Sequence, residues 1–104
     1  MKFVIAIVRP NRADEVRQAL SDVGVKGMTV TEAKGYGRQK GYLDRYRGSE
    51  YSTAYLPKVE ITVWVTDEQS AALADVVPKV ARTGRIGDGK LFVVPLAWNE
   101  PLEF

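Results

Sequence analysis

Neither cysteine nor histidine occurs among the 104 residues, and these two absences exclude more chemistry than any motif adds. Without thiol or imidazole the chain has no Cys or His nucleophile, no disulfide framework and no zinc site of the common ligand types. Long uninterrupted apolar runs are missing as well. The N-terminal one, Phe3 to Val8, follows a single lysine and stops at Arg9-Pro10, too short for a signal peptide's apolar region with its cleavage site, or for a membrane span. A cytoplasmic protein is expected. Charge of one sign is not in excess either, with 15 basic residues against 13 acidic and a net of +2. That balance gives no general attraction to nucleic acid or to a membrane surface, so partners must be selected locally. The length suits one domain, 1–104, with a single core and much exposed surface unless copies associate.

What is present concentrates in Thr83-Gly84-Arg85-Ile86-Gly87-Asp88-Gly89-Lys90. Three glycines, an aspartate and a lysine at a helix-to-strand junction have the makings of a phosphate cradle: glycine lets backbone N–H groups approach an anion closely, and Lys90 adds a point charge. Gly84, four residues, then Gly89-Lys90 also satisfies most of a P-loop pattern. It departs where magnesium would bind, because Leu91 replaces Ser or Thr, and a strand rather than a helix follows. A structural turn rich in Gly and Asp accounts for the same residues.

Lys2 to Val8 is apolar on both alternating sets, the pattern of a central strand covered on both faces. Asn11, with Asp14 three residues on, marks a helix start, and Ala13, Val16, Leu20 and Val23 share a face before Gly24. Met28 to Gly35 reads as a second strand. Val59, Ile61, Val63 and Val65 alternate with polar residues and Trp64 in a third. Thr66 and Gln69 form a capping box for a helix striped by Leu73, Val76, Val77 and Val80, with a late kink expected at Pro78. Lys90 to Leu96 is a fourth strand, apolar on both faces. The order β-α-β-β-α-β is the α+β, ferredoxin-like sandwich, a weak internal repeat of two β-α-β halves. Two helices cover one sheet face only, so the other is expected to pack on further copies of the chain.

Between the second and third strands lies a connection of about residues 37–57, long for a compact domain and rich in Tyr, Arg and Gly. Tyr42, Tyr46, Tyr51 and Tyr55 space at about one helical turn, as in a segment packed on its own domain. Read instead as a protruding arm, it offers Arg38, Lys40, Arg45 and Arg47 and rigid tyrosines to a partner.

Gly35-Tyr36-Gly37-Arg38-Gln39-Lys40-Gly41, Tyr46-Arg47-Gly48-Ser49-Glu50-Tyr51, Leu56-Pro57-Lys58-Val59 and Thr83 to Val93 resemble the successive signatures of the PII nitrogen-regulatory signalling proteins, from Met1 to about Leu96. The resemblance implies a compact homotrimer of ferredoxin-like subunits that is a switch, not an enzyme. By the same resemblance it is expected to bind ATP or ADP between neighbours and to report cellular state through the long T-loop to a transporter or metabolic enzyme. It also implies nucleotide contacts from Gly37, Arg38, Gln39, Gly87, Asp88, Gly89 and Lys90, with Ile7, Thr29 and Thr83 nearer base and ribose. Gln39, Gly41 and Lys58 match residues that hold magnesium and 2-oxoglutarate beside ATP, Gln39 being the metal ligand. Tyr51 and Ser49 match positions that are nucleotidylated or phosphorylated in family members.

Four positions depart from that pattern. Thr62 replaces a glutamate beside the adenine, Trp64 a small aliphatic residue, and Pro101 and Glu103 two arginines that reach a neighbour's phosphates. With two cations fewer, ADP or AMP is expected to rival ATP. Divergent PII-like proteins keep the fold and an adenylate site while answering to other signals, so the alternative is a PII-like protein of inorganic-carbon metabolism that responds to ADP or AMP and bicarbonate in place of ATP and 2-oxoglutarate. An RNA-recognition reading of Lys34-Gly35-Tyr36-Gly37 fails at Arg38, which stands where a stacking aromatic is needed. No direct membrane insertion or nucleic-acid binding is expected.

Overall fold

The computed structural model describes residues 1–36 and 55–97. Four strands and two helices follow in the expected order: β1 (Lys2–Val8), a short 3-10 turn (Pro10–Arg12), α1 (Ala13–Asp22), β2 (Thr29–Tyr36), β3 (Tyr55–Val65), α2 (Asp67–Ala81) and β4 (Gly89–Pro95). All strand pairs are antiparallel, in the order β2-β3-β1-β4. The doubly apolar β1 is therefore central, as its pattern requires.

One face of the sheet carries the core. Val4, Ala6 and Val8 of β1 and Ile61, Val63 and Val65 of β3 point to the helices and meet Val16 and Leu20 of α1 and Leu73 and Val77 of α2. These residues occur every second position in the strands and every three to four in the helices, so the two periodicities of the sequence converge on one apolar layer. At the start of α2, Thr66 Oγ1 accepts from the Gln69 amide at 3.1 Å while Gln69 Oε1 accepts from the Thr66 amide at 3.0 Å, the reciprocal capping box. Pro78 lies in the last turn and the helix runs on to Ala81.

Two boundaries differ from the sequence reading. Asn11 does not cap α1: Pro10–Arg12 wind a 3-10 turn, the N-cap is Arg12, and its side chain makes no cap hydrogen bond. The third strand begins at Tyr55 and not near Lys58, because Lys34, Gly35 and Tyr36 of β2 pair with Pro57, Leu56 and Tyr55. The connection between β2 and β3 is shorter by those residues than 37–57. Pro57 is tolerated in the ladder although it brings no N–H.

The sheet's other face has no helix over it among the described residues. Phe3, Ile5, Thr62, Trp64, Phe92 and Val94 occupy it, as the registers Phe3↔Trp64, Ile5↔Thr62, Ile5↔Phe92 and Phe3↔Val94 dictate. Trp64 is 55% exposed and stacks at a tilt on Phe3, with ring centroids 4.6 Å apart, and Phe92 is 46% exposed. No helix among the described residues is long and apolar enough to cross a membrane.

Candidate functional site

The link from α2 to β4, residues 82–88, folds over the end of the sheet where β1 runs out at Val8. Two positive-φ glycines, Gly84 at 90° and Gly87 at 86°, let it turn where an L side chain would be strained. Gly89 serves differently. A Cβ there would stand 2.4 Å from the Ile7 carbonyl oxygen, so only glycine lets β4 start this close to β1.

Asp88 organises the loop from inside. Its Oδ2 accepts from the amides of Thr83 at 2.6 Å, Gly84 at 2.9 Å and Arg85 at 3.3 Å; its Oδ1 accepts from the Thr83 hydroxyl and, at 2.9 Å, from Arg9 Nε. Burial alone would push the Asp88 carboxyl up, but the Thr83 hydroxyl and amide, Arg9 and the Gly84 amide outweigh it and hold the group well below the usual carboxylate range. The carboxylate which the resemblance implies as a nucleotide contact is thus bonded by the loop's own donors and by Arg9. The amides of Ile86 and Gly87 are outside the set given to Asp88.

Two cations brace the loop from behind. Arg9, the first residue after β1, donates from Nη2 to the Ile86 carbonyl at 2.9 Å as well as to Asp88. Lys58 of β3, only 7% exposed, donates from Nζ to the Gly87 carbonyl. Burial pushes the Lys58 ammonium below the usual lysine range, Arg9 adds to this, and Asp88 opposes it. Arg12 joins the same end of the molecule, its Nη2 donating at 3.2 Å to the carbonyl of Arg82, the C-cap of α2. With Arg82, Arg85 and Lys90 exposed nearby, a chain of nearly balanced charge gathers cations around one carboxylate. That arrangement attracts an anion.

Thr83, Gly87, Asp88 and Gly89 are therefore brought together, with Lys58 beneath them and Lys90 exposed at the start of β4. Ile7 sits on β1 directly across from Lys90. Thr29 does not join them. It opens β2, across from Thr62 on β3, at the opposite edge of the sheet, so three strand spacings of about 4.8 Å separate its strand from that of Lys90. Gly37, Arg38, Gln39, Gly41, Ser49 and Tyr51 lie outside the described residues, as do Pro101 and Glu103. A crevice of about 110 Å³ beside the loop, lined by Val77, Pro78, Ala81, Arg82, Gly89 and Leu91 among others, is well below the several hundred Å³ of a pocket that encloses a nucleotide-sized ligand. Arg9 is the loop-bracing residue that sequence reasoning missed. Its signal was a cation placed right at the end of a buried strand, where it had served only to mark the stop.

A family model described as nitrogen regulatory protein P-II matches residues 1–99. Nitrogen regulatory protein GlnK of Escherichia coli (strain K12) is 53% identical over 96 residues, which cover 92% of this chain and 86% of that protein. Nitrogen regulatory protein P-II of Klebsiella oxytoca is 52% identical over 97 residues, 93% of this chain and 87% of its own length. The protein of the same description from Azospirillum brasilense is 52% identical over 96 residues, 92% and 86%.

Proposed function

The chain belongs to the nitrogen regulatory protein P-II family, signalling regulators rather than enzymes, and from that premise we propose that it is a trimeric cytoplasmic sensor of adenine nucleotides. It reads energy state together with a small anionic metabolite and controls a transporter or metabolic enzyme through the segment between β2 and β3. The observation that carries this reading is the glycine loop of residues 83–89, pre-shaped by Asp88 and backed by Arg9 and Lys58. Its residues fit a phosphate: Lys90 supplies an exposed ammonium and the glycines keep side chains out of the way. A bound adenine nucleotide would supply the charge and the hydrogen-bond acceptors to which the loop responds.

The division of the candidate residues between opposite sheet edges supports a site completed by a neighbouring copy, with the loop and Lys90 from one subunit and the Thr29, Thr62 and Trp64 end from the next. An open face carrying Phe3, Ile5, Trp64, Phe92 and Val94 supports the association that such a site needs. Gln39, Gly41 and Lys58 are the residues for the effector, 2-oxoglutarate or bicarbonate, with magnesium on Gln39 when ATP is bound. Ser49 and Tyr51 are the candidate modification sites.

Titration calorimetry with ATP, ADP and AMP, each with and without magnesium, 2-oxoglutarate and bicarbonate, tests the reading. ADP or AMP should rival ATP, since Pro101 and Glu103 replace two cations, and a lost charge-assisted bond of about 1.5–3 kcal/mol shifts affinity about tenfold or more. Lys90→Ala should weaken all three nucleotides. Deleting Tyr46 to Tyr51 should abolish partner capture with nucleotide affinity kept. Failure of every nucleotide to bind overturns the proposal.

A further inference from the structure

Arg9 makes two bonds into the loop at once, Nε to Asp88 Oδ1 and Nη2 to the Ile86 carbonyl, each at 2.9 Å. It is held at the mouth of β1 and half-buried, directly after Val8, whose register partner Val59 follows Lys58, and the donor of Lys58 goes to the Gly87 carbonyl. The three charged groups under the loop are therefore two cations and one carboxylate. A single carboxylate neutralises one of them, and one positive charge remains beneath the glycine turn. We propose that Arg9 is the positioning residue of the anion-binding loop: it fixes Asp88, and through Asp88 the amides of residues 83–85, so that the turn is set for a phosphate before a ligand arrives. This rests on the phosphate reading for its purpose, though not for its geometry.

The guanidinium fork is what the role requires. A lysine at this position keeps the charge but has one nitrogen, and it cannot span both Asp88 and the Ile86 carbonyl in the same geometry. Arg9→Lys therefore separates positioning from charge, and Arg9→Met removes both.

The test has two arms on the full chain. In the ligand-free protein, amide hydrogen exchange at Thr83, Gly84 and Arg85 should speed up on the order of tenfold in Arg9→Met, and by less in Arg9→Lys, while β1 and β3 core amides stay unchanged. In calorimetry with ADP, Arg9→Met should bind about 10- to 100-fold more weakly, and Arg9→Lys should fall between it and the unmodified protein. If both variants keep slow exchange in the loop, Arg9 supplies charge at most and the proposal is overturned. Unmodified protein that binds no ADP would remove the phosphate reading, and the exchange arm then decides the positioning role by itself. Should Arg9→Met not fold, shown by lost core protection, Arg9→Lys carries the same comparison.

Discussion

Replacing Gly89 with alanine is the sharpest single test of how this site is built. The added Cβ would lie 2.4 Å from the Ile7 carbonyl oxygen and 3.4 Å from the Val8 Cα. The first contact is about 1 Å inside ordinary van der Waals distance, and the obstacle is backbone in the central strand, which cannot rotate away as a side chain would. Relief requires the start of β4 to lift from β1 at the Val8↔Gly89 pair. Overpacking of this kind costs about 1–3 kcal/mol, and loosening one or two ladder hydrogen bonds adds about 0.5–1.5 kcal/mol each. A total of about 1.5–6 kcal/mol corresponds, at about 4 °C per kcal/mol for a domain of this size, to a fall of about 6–24 °C in melting temperature. Thermal melts followed by circular dichroism, at fixed protein concentration because association shifts the midpoint, measure it directly. Gly27→Ala is the control, since a Cβ there meets nothing within 4 Å, and its effect should stay within about 0.5 kcal/mol. The displaced strand carries Lys90, so ADP affinity should fall with stability in Gly89→Ala and remain unchanged in Gly27→Ala. Equal melting temperatures for the two variants would refute the close-approach argument.

Three further outcomes follow from the same structure. Hydrogen bonds hold the folded Asp88 carboxyl below its ordinary value of 3.8, so its contribution to stability is present above about pH 4 and lost as the pH falls through the lower folded value. Asp88→Asn should then be less stable at about pH 7 and show a flatter acid limb in urea titrations at about pH 2–7, whereas parallel limbs would contradict the pKa argument. Phe92→Lys places an ammonium on the open sheet face opposite Ile5; if copies associate there, an unpaired buried charge costs about 3 kcal/mol or more, near 100-fold in association, and sedimentation should show monomers. An intact trimer in that variant rules out this face as the interface. Leu73, fully buried between α2 and the sheet, should lose about 2–5 kcal/mol on truncation to alanine, against about 1 kcal/mol for half-buried Val76→Ala, read from denaturant midpoints.

What the sequence made legible here was local or periodic. The capping box of Thr66 and Gln69 spans three residues, and the alternation of Val59 to Val65 needs only one strand, so both could be read without knowing the partner elements. The start of β3 could not, since Tyr55 to Pro57 look like loop chemistry and become strand only because Lys34 to Tyr36 supply a ladder opposite them. Asn11 is the converse case: a good local capping signal loses to Pro10, whose fixed φ and missing N–H start a 3-10 turn instead. The site divides along the same line. Glycines report themselves, because the need for positive φ or for a missing Cβ is a property of one residue. Arg9 and Asp88 are 79 residues apart, and nothing in the spacing says that the carboxylate turns inward to an arginine rather than outward to a ligand. In the sequence Asp88 reads only as one member of a phosphate cradle. Its partners in the folded chain settle its direction, because a carboxylate held by Arg9, the Thr83 hydroxyl and three backbone amides presents little negative charge outward, while Lys58, offset only in part by Asp88, lies beneath Gly87. The acidic residue expected to touch a nucleotide is, in the folded chain, what ties together the loop proposed to bind its phosphates.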